Sequence, residues 1–354
     1  MSTDVTKTML EAYKPASLVH NYFTSLCTQR NFSTESIELD IERDDEEVAV
    51  VLTSLEAGAR ANEANLYTNK EFVPPIYKEK MTIPAAKLLK RLPGSIPFGD
   101  VDFQAAGSAL AIGNLPKLEK KLRRSLELQA SQVFQTGALS LVDAAGSVLF
   151  TMNFSPKAAH FPTVGTTWAN AAADAPGDIG NLAEVIYRNG KAATTRLTFG
   201  KTAWRHFLNN TAVKSLLDKQ VFNRGMLQNP APTNGAVKQG EIAIDGYLFE
   251  LYTYQGFYKS AAGVVTPYIA DDKVVFSSAA SDVVAAFGAV PQFPADDGSA
   301  ALRYLPGAIS GQGFSFTPTA WISEDRQYMT LQLAARPLIV PRGIDTFGCL
   351  DVVP

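Results

Sequence analysis

The segment from Ala49 to Arg91 sets the hardest limit on how this chain can fold. It strings together short apolar runs, a polar middle from Ala59 to Lys70 with no period, and the prolines Pro74, Pro75 and Pro84. It therefore reads as a long hairpin with little core of its own. An isolated two-stranded hairpin is marginal in water. Such a segment is stable when it lies across a neighbouring subunit, so the chain is expected to be incomplete as a monomer.

What precedes it has the same character. Residues 1–35 read as an arm: Thr8 to Phe23 places Met9, Leu10, Tyr13, Leu18, Val19, Tyr22 and Phe23 on one apolar side, with Pro15 breaking any helix there. A segment so apolar and so short has to dock on something. From Ser36 the pattern alternates, with Ile37, Leu39 and Ile41 opposite Glu38, Asp40 and Glu42, as in a half-buried strand. The acidic run Asp44-Asp45-Glu46-Glu47 follows and reads as a solvated turn, because four adjacent carboxylates cannot all converge on one cation. The other reading is contact with a basic surface of a partner.

Beyond the loop, regular elements take over. Asn114 to Thr136 predicts a helix: Asn114 can cap it, Pro116 sits in its first turn, and Leu115, Leu118, Leu122, Leu126, Val133 and Phe134 form one stripe. Gly137 ends it. Leu139 to Phe154 reads as a hairpin turning at 143–146, and Pro176 to Asn189 as a second helix stopped by Gly190. From Arg196 a short β run meets Gly200 and turns into an amphipathic helix carrying Trp204, Phe207, Leu208 and Leu216. Strands are expected over 329–333, 337–340 and 347–353.

Composition is compatible with a large folded protein and narrows its chemistry. The 354 residues are 46% hydrophobic and 19% charged, enough for two modest cores. A net charge of -3 argues against a surface that clamps nucleic acid all over, so any DNA contact is local. Cys27 and Cys349 lie at opposite ends without metal or disulfide spacing, and read as reduced thiols of a cytoplasmic compartment. The first residues carry no apolar block of a signal peptide, and no run is long enough to span a bilayer.

No catalytic, cofactor or metal site is expected. His20, His160 and His206 have no partner at triad or metal spacing. Gly307 to Gly313 lacks the lysine and hydroxyl of a phosphate loop, and Asp271-Asp272 and Asp296-Asp297 sit in turn settings. One charged constellation stands out: Lys117, Lys120, Lys121, Arg123 and Arg124 outnumber Glu119 and Glu127 on the predicted long helix, with Glu119 and Arg123 at attractive spacing. It reads either as a solvated face or as a site for an anionic partner. No DNA-reading motif accompanies it.

The order of neighbours carries a resemblance. Val51-Leu52, Gly58, Tyr67, Phe72, Pro74, Tyr77, Lys78 and Leu88 to Pro93 come first. Thr166-Thr167-Trp168, Asp178-Ile179, the Arg196–Leu217 unit, Ile242 to Tyr258 and Tyr268 to Phe276 then follow. In that series, from about Phe32 to the C-terminus, the chain resembles the major capsid proteins of lambda-type tailed bacteriophages, the phage major capsid protein E family. It departs from them most at 261–263 and 291–313.

The resemblance implies a mixed α/β (α+β) capsid fold. Its parts would be an N-terminal arm (1–35), a P-domain strand (36–48), an E-loop (49–92), a P-domain with a spine helix (93–165, helix 114–136), an A-domain (166–320) and returning C-terminal strands (321–354). It implies a structural protein that self-assembles into hexamers and pentamers of an icosahedral shell around double-stranded DNA, held without sequence specificity. The virion would be its location and the host cytoplasm its place of assembly. Portal and scaffold or decoration proteins would be its partners, and no membrane. Gly58, Tyr67, Phe72, Tyr77 and Lys78 would make the E-loop contacts between subunits. The basic cluster would face either the packaged DNA or an acidic surface of a neighbouring subunit. Another phage component, such as a decoration or tail protein, or an enzyme of unrecognised class, are the alternatives.

Overall fold

A computed structural model describes residues 20–32, 34, 36–41, 68–87, 103–142, 146–219, 233–260, 262–278, 281–292, 303–305, 316–323 and 325–353. Gly58, Tyr67, the acidic run 44–47, Asp296-Asp297 and the glycine-rich stretch 307–313 lie outside the described residues.

The described chain enters through a short helix, α1 (Tyr22–Ser25), and strand β1 (Thr28–Asn31). Strand β2 (Ile37–Ile41) pairs antiparallel with β3 (Thr68–Phe72), from Ile37 opposite Phe72 to Ile41 opposite Thr68. These two strands pair although 26 residues, 42–67, separate them in sequence. After β3 the chain turns into β4 (Tyr77–Pro84).

The long helix, α2 (Phe103–Thr136), has 34 residues, on the order of 50 Å at about 1.5 Å per residue. It begins at Phe103, well before the expected Asn114, with Pro116 inside it. Asn114 does not cap; its side-chain amide donates to the Leu110 carbonyl at 2.9 Å. An interior proline costs about 3 kcal/mol through the lost donor and the ring clash. Leu115 and Leu118, on either side of Pro116, are buried, and that packing outweighs the local stop signal. Gly137 ends the helix in the left-handed region (φ +62°), where an added Cβ would sit 2.6 Å from Pro156 Cγ. A hairpin of β5 (Ala138–Val142) and β6 (Val148–Asn153) follows.

Next comes α3 (Ala175–Gly190), capped by Asp174 accepting from the Gly177 amide. The residue that stops it is Lys191 (φ +52°) rather than Gly190. Gly190 instead permits close approach, since a Cβ there would meet the Asp345 carbonyl oxygen at 2.1 Å. After β7 (Arg196–Phe199) the expected single helix is two, α4 (Lys201–Asn209) and α5 (Thr211–Lys219). Buried Asn210 breaks it by accepting from the Ala212 and Val213 amides as a cap.

The rest is largely strand: β8 (Ala236–Ile244), β9 (Tyr247–Tyr254), β10 (Phe257–Lys259), β11 (Val265–Pro267), β12 (Lys273–Ser277), β13 (Val283–Phe287), β14 (Val290–Gln292), β15 (Arg303–Leu305), β16 (Thr317–Ile322), β17 (Tyr328–Ala335), β18 (Pro337–Pro341) and β19 (Gly348–Asp351). A five-stranded sheet has the order β19-β12-β7-β9-β8. Two three-stranded sheets have the orders β1-β13-β18 and β16-β17-β4. The last three strands each join a different sheet, so the C-terminal stretch ties all three together.

Three apolar cores follow from this. The five-stranded sheet packs Leu197, Phe199, Val274 and Phe276 with Ile179, Ile186 and Phe207 of the helices. Val275, pointing the opposite way on the pleat, joins a second core with β13, β18 and the C-terminal half of α2 (Leu126, Ala130, Val133, Phe134). The described N-terminal half of α2 (Leu115, Leu118, Leu122) covers the β16-β17-β4 sheet through Ile83, Leu331 and Leu333. One helix spans two cores.

Candidate assembly surfaces

The helix that spans two cores also carries two carboxylates where none would be expected. Glu119 and Glu127 are both fully buried, which corrects their reading as charges on a solvated face. Arg123 Nε donates to Glu119 Oε1 at 2.6 Å, and its guanidinium carbon lies 5.7 Å above the centre of the Phe316 ring. Arg123 is thereby drawn out of the basic cluster, its side chain only 12% exposed.

Glu127 is held by neutral donors. The Phe23 and Thr24 amides donate to its two oxygens at 2.9 and 2.8 Å, Thr24 Oγ1 at 2.6 Å and Tyr254 Oη at 3.0 Å. Those two amides belong to the first turn of α1, whose own preceding residue, Asn21, makes no side-chain cap. A glutamate 104 residues away in sequence does the capping instead. Burial pushes the Glu127 carboxyl above its usual range, while the bonds from Thr24, Phe23 and Tyr254 draw it partly back. Tyr254 is held far above its usual range by burial first and the Glu127 charge second. Tyr22, whose hydroxyl lies 2.9 Å from Thr198 Oγ1, is pushed up to about 12 by burial.

Two glutamines extend this stitching. Gln129 donates to Tyr77 Oη at 2.9 Å and accepts from the Ile339 amide. Gln135 donates to the Tyr268 carbonyl at 2.8 Å and accepts from the Ala270 amide at 2.9 Å. Side chains on one helix thus hold the arm root, β4, β18 and the turn before β12.

On the outer side of α2, Lys117, Lys120, Lys121 and Arg124 are exposed. Spacings of three, four and seven residues place them on one stripe. Lys117 donates to Asn114 Oδ1, and Lys121 pairs with Glu79 of β4 at 2.7 Å. With both glutamates and Arg123 turned inward, the outward face keeps four cations, of which Lys121 is paired with Glu79.

Of the residues expected in the loop contacts, Phe72 of β3 stands opposite Ile37 of β2. Tyr77 and Lys78 stand on β4 opposite Ala335 and Ala334, with Lys78 exposed and the Tyr77 hydroxyl bonded to Gln129 within the same chain. Sequence reasoning missed a set of apolar side chains exposed near turns. They are Val142, Val148 and Leu149 on the β5–β6 hairpin, Trp321, Ile322 and Tyr328 at the β16–β17 turn, and Val73 and Ile76 beside β3. Leu149 is 74% exposed. Their signal was legible as apolar residues flanking turns.

Among the described residues no catalytic grouping accompanies these surfaces. His160 is buried, with Nδ1 3.0 Å from the Phe347 carbonyl and Nε2 3.0 Å from the Asn189 amide nitrogen. Among the described residues no three His, Cys, Asp or Glu side chains are grouped to hold a metal ion, and no helix is long and apolar enough to cross a membrane. Cys27 and Cys349 are free, the Cys349 thiol pushed up to about 12 by burial.

Comparison with known proteins gives this geometry a family. Among curated proteins no sequence matches. Of solved structures, a prophage protein of E. coli CFT073 described as a capsid protein is 18% identical, with a TM-score of 0.65 over 100% of this chain and 99% of that one. A chain of the cyanophage A-1(L) capsid is 12% identical, with a TM-score of 0.51 over 96% of this chain and 95% of that one. Both likenesses are of fold. The model for phage major capsid protein E matches residues 6–348. This chain therefore belongs to the phage major capsid protein E family, and it is a structural, non-enzymatic subunit of a phage capsid.

Proposed function

We propose that the subunit builds its shell by burying, against copies of itself, the parts that its own cores leave uncovered. The observation that carries this is the β2–β3 pair. Two short strands, Ile37–Ile41 and Thr68–Phe72, are paired, among the described residues, only to each other and serve as the base from which residues 42–67 depart. In this reading 42–67, with Gly58 and Tyr67, lies across a neighbouring subunit, Phe72 anchors its base, and Tyr77 and Lys78 sit where it rejoins the body. The exposed tips at Leu149 and Trp321 add apolar contacts. Specific interfaces bury on the order of 1,200–2,000 Å² in total, and several projections per subunit reach that with more than one neighbour. Head-to-tail contacts of this kind close into rings, here the hexamers and pentamers of an icosahedral shell.

The basic stripe of Lys117, Lys120, Lys121 and Arg124 faces packaged double-stranded DNA and contacts phosphate without reading bases. Its support is that the two acids of the same helix are withdrawn into the core, leaving Lys117, Lys120, Lys121 and Arg124 exposed along one stripe. Assembly takes place in the host cytoplasm, with a portal and with scaffold or decoration proteins as partners.

Replacing residues 44–65 by a short Gly/Ser linker tests the first part. The expected product is a soluble subunit that sediments as a small species and gives no shells in negative-stain images; normal shells would reject the loop assignment. For the stripe, neutralising Lys120 and Arg124 should flatten the salt dependence of DNA binding, by about one unit of log–log slope per lost phosphate contact.

A further inference from the structure

Between the β5–β6 hairpin and α3 the chain runs as a strap that touches two of the cores. Phe161 packs against the core of β13, β18 and the C-terminal half of α2, while Val164 and Trp168 belong to the core of the five-stranded sheet. The strap lies along β19: the Val164 amide donates to the Asp351 carbonyl, the Asp351 amide to the Pro162 carbonyl and the Trp168 amide to the Val352 carbonyl. At its head stands His160, fully buried, closing a short turn of helix (Ala158–His160). Its carbonyl lies so close to β19 that a Cβ added to Gly348 would meet the oxygen at 2.6 Å.

The His160 ring is the middle of a chain of hydrogen bonds whose direction is set at both ends. At one end the Lys157 ammonium, which can only donate, gives a hydrogen to Asn189 Oδ1 at 3.0 Å. The Asn189 NH2 therefore faces His160 Nε2, at 3.0 Å, and that ring nitrogen accepts. At the other end the Phe347 carbonyl, which can only accept, lies 3.0 Å from Nδ1, so Nδ1 carries the hydrogen of the ring. The relay runs from Lys157 through Asn189 and His160 to Phe347, and neutral imidazole satisfies every link. A second proton would have to enter at Nε2, against the Asn189 NH2. Turning that amide over would present its NH2 to the Lys157 ammonium instead, so either response forfeits a hydrogen bond at a buried ring.

The charged groups of the elements packed here leave the outcome to those hydrogen bonds. Lys157 of the strap and Asp345 of the turn before β19 face each other, Nζ to Oδ2 at 3.8 Å, so their charges act in opposite directions on an imidazolium. On α3, Arg188 pairs with Glu184 on the exposed side, and Lys191 just past its end is exposed. On β19 the buried Cys349 thiol is pushed up to about 12 and stays uncharged near neutral pH, while Asp351 stands at the far end of the strand and accepts from the Val353 amide.

We infer that His160 is an acid-operated clasp: neutral, it fastens the strap to α3 and to the start of β19, and protonated, it lets the strap go. The unfolded chain takes up this proton near the ordinary histidine value of about 6.5, whereas the relay of the folded chain has no acceptor to receive it. What the clasp contributes is therefore complete above that pH and is lost as pH falls below it. Every group involved belongs to one chain, so the inference does not rest on the proposed roles of the loop or the basic stripe.

Two substitutions separate a clasp from a ring that is merely buried. His160→Gln keeps one donor and one acceptor and does not titrate. In full-length subunit, the unfolding equilibrium constant of the wild type relative to His160→Gln should rise as pH falls from about 7.5 to about 5.5, approaching about tenfold per pH unit; a flat ratio would overturn the inference. Asn189→Asp places beside Nε2 an oxygen that accepts from the protonated ring, so this variant should gain stability relative to the wild type over the same interval. Equal losses in the two proteins would also overturn it. A third measurement needs no variant: after correction for the intrinsic rate, amide exchange of 160–168 should rise severalfold across that interval while 273–277 stay protected, and unchanged protection of 160–168 would show that the strap is held by something other than the neutral ring.

Discussion

Glu119 and Glu127 stand on one helix, both withdrawn from solvent, and they are satisfied in opposite ways. Glu119 meets a cation one turn along, Arg123. Glu127 meets four neutral donors from α1 and β9, more than 100 residues away in sequence. The first arrangement is local, so it can form as soon as the helix does. The second exists only when the arm root, the helix and the five-stranded sheet are already in place. A buried carboxylate is costly unless fully hydrogen-bonded, and Glu127 therefore converts correct assembly of three distant segments into a condition for its own burial. The N-terminal half of α2 is a platform with a charged outer face; the C-terminal half is where the subunit is fastened together.

Glu127→Ala should break that contrast most. It orphans buried donors at Phe23, Thr24 and Tyr254, each costing about 1–3 kcal/mol when unsatisfied, so a loss on the order of 3 kcal/mol or more is expected in denaturant unfolding. Exchange protection of 22–25 should fall first. An unfolding curve like that of the wild type would mean that water or a neighbouring group substitutes freely, and that the fastening role is wrong.

Glu127→Gln sharpens the same point through pH. Because the folded carboxyl is raised, the folded chain keeps a proton that the unfolded chain, with Glu near its ordinary value of about 4.3, has already released. Stability contributed by this group is therefore present at low pH and falls as pH rises from about 4.3 through the raised folded value. The unfolding free energy of the wild type, less that of the Glu127→Gln variant, should decline across that window. A difference that climbs with pH would show the four donors, rather than burial, governing the group.

What the sequence made legible, and what it hid, follows the same division between local and distant. Pro176 at a helix start, Gly137 after Thr136 and the alternation at 329–333 are local signals, and each stands at an element boundary or on a strand of the structure. The break at Asn210 was also readable, as a capping residue followed by Thr211. Pro116 misled because its penalty is local while the burial of Leu115 and Leu118 against β4 and β17 is not. Glu127 could have been noticed, since it lies three residues before Ala130 and seven before Phe134, on the apolar stripe. Nothing in its spacing named Phe23, Thr24 or Tyr254. Likewise the pairing of β2 with β3 spans a gap of 26 residues (42 to 67), and alternation alone cannot choose a partner across it.

On the platform half, Arg123→Ala and Glu119→Ala form an ordered pair. Taking away the guanidinium strips a buried carboxylate of its cation, whereas taking away the carboxylate leaves an arginine whose long stem can carry its charge to water. Removing one partner of a buried pair costs about 3–5 kcal/mol at most. Arg123 is partly exposed, so about 2 kcal/mol for Arg123→Ala and roughly half that for Glu119→Ala are expected. The reverse order in denaturant unfolding would mean that Arg123 is placed by its packing over Phe316 rather than by Glu119.

The smallest effects on folding belong to the outer stripe. Lys120 and Arg124 are exposed on a face where removing a charge creates no cavity and no orphaned buried group, so Lys120→Ala and Arg124→Ala should change stability by no more than about 0.5 kcal/mol each. Relief of their repulsion at i, i+4 could even make the double variant slightly more stable, by about 0.2–0.5 kcal/mol. If these side chains serve a partner, the loss appears elsewhere: shells should form normally while packaged DNA is held less firmly, read as earlier DNA release on heating particles at low salt. Stable particles that retain DNA as the wild type does would leave α2 with one working half, the inner one.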